Sequence, residues 1–189
     1  MVPTTPVPWR RPLETYRSIL TKRDTRRFAA KPIPDSVVEK ILNAGRMAGS
    51  AQAAEPVRLM VLKDPGLRQR VAATGRSTKH IIEGPLVVAI ILVPELGQVS
   101  APFTLFRGPF DGGRCAQNMM LTAWDEGLTS CPASLHNNEA ACAELGLPEG
   151  HYVLNVIAFG YPAEDHTDPM TGTRPRMAIE EFVRWDSWQ

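Results

Sequence analysis

Apolar residues recur along this chain with two different periods. Over 12–22 they fall at Leu13, Tyr16, Ile19 and Leu20, the spacing of one helical face, and the run stops at Arg23. Pro32 and Pro34 hold the next residues extended. Asp35 then stands where a helix cap belongs, and Val37, Val38, Ile41 and Leu42 line one side of a second helix that runs out between Gly45 and Gly49. Val57 to Lys63 reads as a strand, and Asp64-Pro65-Gly66 as a turn into a short helix over Leu67 to Ala73. Residues 74–80 are polar and read as a connection. Leu86 to Val93 is apolar at every position, so a strand there needs cover on both faces and belongs in the middle of a sheet.

The second half repeats the alternation. Residues 95–110 carry Pro102, Pro109, Phe103, Phe106 and Phe110 without a period, the character of a lid or a subunit contact. Asp111 is placed to cap a long helix over about 112–126, with Cys115, Met119 and Trp124 inward and Gln117, Asn118, Asp125 and Glu126 on the polar side; Gly127 stops it. A short strand and a Pro-x-Ser turn occupy 127–135, and such a turn can offer backbone N–H groups to a ligand. Asn137 or Asn138 caps a helix over 139–145 that Gly146 closes. Tyr152 to Phe159 is a further strand, ended by Gly160-Tyr161-Pro162. A tail follows with Arg174-Pro175-Arg176 and then Met177 to Trp185. Helices alternating with three or four buried strands predict one sheet covered by helices on both faces.

Composition narrows the class. With 43% apolar and 22% charged residues over 189 positions, the chain is globular and long enough for one domain, expected over 12–189 behind an extended proline-rich arm over 1–11. A net charge of +1 gives no general case for a nucleic-acid partner. The longest apolar run is too short for a membrane span, and the N-terminus lacks the apolar core of a signal peptide. Three cysteines without a C-x-x-C pair argue against a disulfide framework or a zinc site and suit a reducing cytoplasm.

Local charge says more than net charge. Arg23-Asp24-Thr25-Arg26-Arg27 places three fixed cations and a hydroxyl in five residues, and each guanidinium matches a phosphate with two parallel donors. Arg23 and Arg27 share a side if the stretch is one helical turn. The stretch reads either as a cradle for a nucleotide-like cofactor or as a solvated basic corner favoured by a helix dipole. Neither G-x-G-x-x-G nor the phosphate-loop lysine motif is present, which leaves the two common nucleotide folds unsupported. Cys131 with His136 is a weak thiol–base pair beside the plainer reading of a buried cysteine. The four histidines lack metal-ligand spacing, so no metal is expected.

In order along the chain stand an R-x-[ST]-x-R stretch, the small-residue loop Ala48-Gly49-Ser50-Ala51 before a proline and a strand, a long helix ending Gly127-Leu128 with Cys131-Pro132 beyond, and Phe159-Gly160-Tyr161-Pro162 before an Arg-x-Arg tail. This order resembles the nitroreductase family of flavoprotein oxidoreductases over about residues 12–185. The resemblance implies an α+β nitroreductase-like fold: a central mixed β-sheet flanked by helices, homodimeric, with extended N- and C-terminal arms. It implies FMN as cofactor and NADH or NADPH as reductant. A hydride would pass through flavin N5 to an organic acceptor such as a nitroaromatic or quinone by a ping-pong route, with no side-chain catalyst.

The same resemblance implies Arg23 and Thr25 near the phosphate and ribityl chain, Asp24 by its backbone, and Arg27 at the pyrimidine edge. Arg174 and Arg176 would reach the phosphate. Ser50, Ala51 and Gln52 would come from the other subunit, and Pro132, Ala133 and Ser134 would sit beside the ring with a backbone N–H toward N5. Lys79 and His80 are looser candidates for the pyrimidine side. The chain departs from the pattern at Ala53-Ala54-Glu55-Pro56-Val57, where the family often shows Asn-x-Gln-Pro-Trp. That departure keeps a second reading open, a flavin-binding protein with little turnover, beside specialised branches such as dehalogenation or flavin breakdown.

Overall fold

The computed structural model describes residues 15–50, 53–93, 107–164 and 176–188. Its elements run α1 (Thr15–Thr21), α2 (Asp35–Arg46), β1 (Val57–Val61), α3 (Pro65–Ala73), α4 (Lys79–Glu83), β2 (Leu86–Leu92), α5 (Gly108–Asp125), β3 (Thr129–Ala133), α6 (Asn138–Glu144), β4 (Tyr152–Gly160) and α7 (Ile179–Phe182). The arm over 1–11, Ala51, Gln52, Arg174 and most of 95–110 lie outside the described residues.

The strands form one sheet in the order β1-β2-β4-β3. The unbroken apolar run is central as expected, with every residue of β2 buried. Alternation along it feeds two cores. Val87, Ala89 and Ile91 pack with Val71, Ile81 and Ala141 from α3, α4 and α6. Leu86, Val88 and Ile90 pack with Ile41 of α2 and with Cys115, Met119 and Ala123 of α5. The expected mixed sheet is corrected: β1–β2, β2–β4 and β3–β4 are all antiparallel. The connection through α3 and α4, like that through α6, returns the chain to the end of the sheet it left rather than crossing the sheet's length, as parallel pairing requires. Among the described residues the parallel component is the isolated Asp24–Ser130 bridge. A bulge beside Ile90 and Ile91 leaves Leu154 out of the register. Leu154 fills the space at Gly112 of α5, where a Cβ would lie 2.3 Å from its Cδ2.

Helix ends partly follow the sequence. The Asp64 carboxylate accepts from Leu67 N at 3.0 Å and the Asn137 side chain from Ala140 N at 3.0 Å, and Gly127 and Gly146 adopt positive φ after their helices. Two expected caps are corrected. Pro34, extended at ψ 141, precedes α2, so Asp35 enters its first turn, where a carboxylate still favours the dipole. Helix α5 begins at Gly108 because Pro109 is tolerated in a first turn, and Asp111 lies inside the helix, buried. Helix α4 occupies part of what reads as a polar connection; Thr78 Oγ1 donates to Ala72 O at 2.7 Å and turns the chain into it.

Helix α1 faces the other way from a core helix. Tyr16, Ile19 and Leu20 are 51–70% exposed, and Ser18 is its buried residue. It rests on α5, where Trp124 Nε1 donates to Thr21 Oγ1 at 3.0 Å, so Trp124 is half-buried rather than inward. The tail repeats this exposure: Met177, Ile179, Phe182, Trp185 and Trp188 are 62–87% exposed.

Candidate functional site

The arginine stretch leaves α1 and does not form a helical turn; Asp24 and Phe28 make isolated bridges to Ser130 and Pro162. The shared side expected of Arg23 and Arg27 in a helix therefore has no basis. What holds the stretch is a seam of backbone bonds. Thr25 N donates to Ser130 O at 3.2 Å, Thr129 Oγ1 to Arg23 O at 3.2 Å, Ala29 N to Tyr161 O at 2.9 Å and Ala163 N to Arg27 O at 3.3 Å. The seam fixes which side chains go in and which stay out. Thr25 is 2% exposed and its Oγ1 accepts from Arg27 N at 3.3 Å, while Arg23, Arg26 and Arg27 are exposed.

Arg23 Nη1 donates to Leu20 O at 2.9 Å and Lys22 O at 2.8 Å, a contact with the end of α1 that the helix dipole favours. The rest of its planar fork has no hydrogen bond among the described residues. Lys22 pairs with the Asp24 carboxylate. Residues 22–27 thus hold four cations against one carboxylate that is already paired.

The seam meets β3 at its first residues, Thr129 and Ser130, and the strand leaves the sheet at its other end, after Ala133. Pro132 sits in the edge strand, the position in a sheet where proline is tolerated. Ala133 is buried and Ser134 exposed. Leu135 bridges to Gly75, and His136 N and Asn137 N both donate to Thr74 O, at 3.1 and 3.0 Å. Gly75 is needed there, because a Cβ would lie 2.7 Å from Thr78 Cγ2 and 3.2 Å from Ser134 O. The fold therefore brings Thr74, Gly75 and exposed Arg76 beside Ser134, a placement that sequence reasoning missed. Its signal was a glycine and an arginine in an otherwise featureless polar stretch.

Of the looser candidates, Lys79 is exposed and pairs with Glu83 at 3.2 Å. His80 is 2% exposed, and burial, reinforced by the Arg26 charge, holds its imidazole below the ordinary histidine value against the opposing Ser77 backbone and Asp24. Cys131 is buried in β3 and His136 exposed beyond it, so the cysteine is a packing residue. Arg176 is exposed at the start of the tail.

Ser50 lies elsewhere. It follows α2 beside β1, the opposite edge of the sheet from β3. Three strand spacings separate those edges by about 14 Å. One chain does not bring Ser50 to the arginine stretch.

The Ser50 region has its own construction. The end of α2 is pressed onto α5: a Cβ at Gly45 would lie 2.8 Å from Met119 Sδ, and Asn118 Nδ2 donates to Ala44 O at 3.3 Å. Ser50 then closes its own loop, accepting Ala53 N on its carbonyl at 3.3 Å and Glu55 N on Oγ at 3.0 Å. Beside it opens a cavity of about 580 Å³ lined in part by Leu42, Val57, Leu59, Asp111 and Cys115. Burial pushes the Cys115 thiol up to about 11. Among the described residues, no helix is long and apolar enough to cross a membrane and no group of three His, Cys, Asp or Glu gathers that could hold a metal ion.

Exposed guanidinium groups on a hydrogen-bonded backbone seam suit a dianionic phosphate. Comparison with known proteins identifies the chain's relatives. The sequence model of the nitroreductase family matches residues 19–90 and 89–161. A Thermus thermophilus protein described as NADH dehydrogenase is 25% identical, the match covering 92% of this chain and 96% of that protein. The NADPH-flavin oxidoreductase of Vibrio harveyi is 28% identical, over 93% of this chain and 75% of that protein. The solved structure of the NADPH:FMN oxidoreductase from Vibrio harveyi complexed with NAD+ has a TM-score of 0.83 and 26% identity, over 93% of this chain and 78% of that one.

Proposed function

This chain belongs to the nitroreductase family, and we propose that it is an NAD(P)H-dependent oxidoreductase that holds FMN on the arginine stretch and reduces an organic acceptor, a nitroaromatic, a quinone or a relative of these. The observation that carries the proposal is the seam between residues 23–29, the start of β3 and the end of β4, which leaves Arg23, Arg26 and Arg27 exposed along one edge of the sheet. Arg23 serves the phosphate and ribityl side, Asp24 contributes its backbone and Arg27 the pyrimidine edge; Thr25, expected beside Arg23, is buried and instead holds Arg27 N on its hydroxyl. Pro132, Ala133 and Ser134 flank the ring, and Arg174 and Arg176 add charge at the phosphate. When bound, FMN supplies the hydride chemistry at N5, and the protein supplies position, charge and exclusion of water. Reductant and acceptor use one site in turn.

Because the Ser50 loop lies at the far edge of the sheet, a complete site needs the Ser50, Ala51 and Gln52 loop of a second copy. We therefore propose a homodimer. The exposed apolar residues of α1 and of the tail are the surfaces that a second copy covers. Three free cysteines support a reducing, cytoplasmic setting.

Reconstitution with FMN tests this. Removing a charge-assisted bond to phosphate is worth roughly 1.5–3 kcal/mol, so Arg23→Ala is expected to weaken FMN binding about ten- to a hundredfold. Parent-like affinity in both Arg23→Ala and Arg27→Ala would return the stretch to a solvated basic corner. A second reading, FMN binding with little turnover, is favoured by one observation: Ser50 Oγ is occupied by Glu55 N, in the segment where the polar residues common in the family are absent. Mixing FMN-loaded protein with NADH and with NADPH separates the two, since bleaching with neither leaves only the binding reading.

A further inference from the structure

Among the described residues of the loop that follows Gly49, Ala53 at φ 55° and Glu55 at φ 45° are left-handed without being glycine. Side chains resist that conformation, and it persists only where the surroundings impose it. Two devices impose it here. The first is Ser50, which accepts Ala53 N and Glu55 N. The second lies outside the loop, on the first turns of α5. The buried Asp111 carboxylate pairs with Arg114 Nη1 at 3.6 Å, and the guanidinium stands 5.6 Å from the Phe110 ring centre. Oriented this way, the guanidinium fills the space at Gly49, where a Cβ would lie 2.3 Å from Nη2. The loop is thus anchored at its base by a side chain from a different helix, and twisted above that anchor.

We propose that Arg114, oriented by Asp111 and Phe110, is a positioning residue: it sets the base of the 49–55 loop so that Ser50 is presented to FMN held by the partner chain. The inference rests on the reading that this loop completes the site of the second copy, and it adds a residue that neither motif nor spacing marks. Gly49 is part of the device, because only a residue without Cβ lets the guanidinium seat against the backbone. The backbone strain at Ala53 and Glu55 is the cost of the presented conformation.

The test uses the full chain reconstituted with FMN. Arg114→Gln removes the anchor, Gly49→Ala displaces the flexible guanidinium and leaves its charge, and Ala53→Gly relaxes the twist. Each is expected to weaken FMN binding about fivefold and to shift the visible absorption band of bound FMN. Ala53→Gly is expected to do so with an unchanged or raised melting temperature, a split between affinity and stability that a merely structural role does not produce. FMN affinity and spectrum at parent values in Gly49→Ala and Arg114→Gln, with Arg23→Ala weakened, overturn the positioning role and leave the cofactor site standing. Parent values in Arg23→Ala and Arg27→Ala as well overturn both.

Discussion

At the β3 edge of the sheet, the arginine stretch is bonded by its backbone to Ser130, Thr129 and Tyr161. Its neighbours are rigid: a Cβ at Gly160 would meet Pro85 Cδ at 2.8 Å and Phe28 Cδ1 at 2.9 Å. At the β1 edge, the Ser50 loop meets the far end of a flexible arginine and carries two residues in left-handed backbone. Among the described residues β1 pairs with β2, whereas β3 pairs with β4 and also bridges to Asp24. The cluster of exposed cations is placed where the backbone is bonded into the sheet. The loop proposed to meet a second copy is held by side chains that can give way. Stability and ligand binding should therefore be coupled at the first edge and separable at the second.

Four expectations sharpen or break this contrast, in falling order of size. The largest concerns the surface that completes the site. Exposed aromatic anchors in stable interfaces commonly cost about 2 kcal/mol or more when truncated, so replacing Trp185 and Trp188 together by Ser should shift sedimentation from dimer to monomer and reduce FMN uptake. A folded, flavin-loaded monomer of the parent chain would end the view that the two edges meet between copies.

Next is a matched pair of glycines. Gly160→Ala forces Phe28 and Pro85 apart and should cost about 1–3 kcal/mol of stability, together with FMN affinity. Gly49→Ala moves only the Arg114 guanidinium and should stay within about 0.5 kcal/mol of the parent. Urea unfolding of the two variants decides it; equal losses would erase the distinction between the edges.

Within the β3 edge, Arg23 and Arg27 should separate binding from tuning. Arg27→Ala is expected to lower the midpoint potential of bound FMN by roughly 30 mV, the two-electron equivalent of about 1.4 kcal/mol, with a smaller loss of affinity than Arg23→Ala. Potentials measured on both variants test this, and an unchanged value for Arg27→Ala removes that residue from the ring edge.

The smallest expected effect is a slope in pH. His80 is held neutral chiefly by burial, with the Arg26 charge reinforcing it. The unfolded chain takes up a proton near the ordinary value of about 6.5, and the folded chain only at a lower pH. The folded state binds fewer protons there, so this contribution to stability is complete above that pH and is lost as pH falls through it toward the lower folded value. Denaturation midpoints between about pH 7 and 5 should decline less steeply in His80→Leu than in the parent; identical slopes would assign the decline to other groups.

Much was legible in the chain by itself, and for a common reason. The apolar run at 86–93, the caps Asp64 and Asn137 and the stops Gly127 and Gly146 depend on neighbours within a few residues. Periodicity and turn chemistry report such neighbours directly. The ordered set of weak motifs gave the family in the same way, since it required only their order.

What the tertiary structure alone decided depends on partners far along the chain. The arginine stretch is extended rather than helical because Thr129, 106 residues from Arg23, supplies a hydroxyl to its carbonyl. Asp111 is buried inside α5 and paired with Arg114 rather than capping, because the helix begins three residues earlier, at Gly108. Helix α1 turns Tyr16, Ile19 and Leu20 outward, although their spacing is that of a buried face, because periodicity marks an apolar side without naming what covers it. Ser50 and Arg23 belong to opposite sheet edges because strand order is set by which strands pair. Pairing is a non-local choice made by burial of both faces of β2, and no short window of residues contains it.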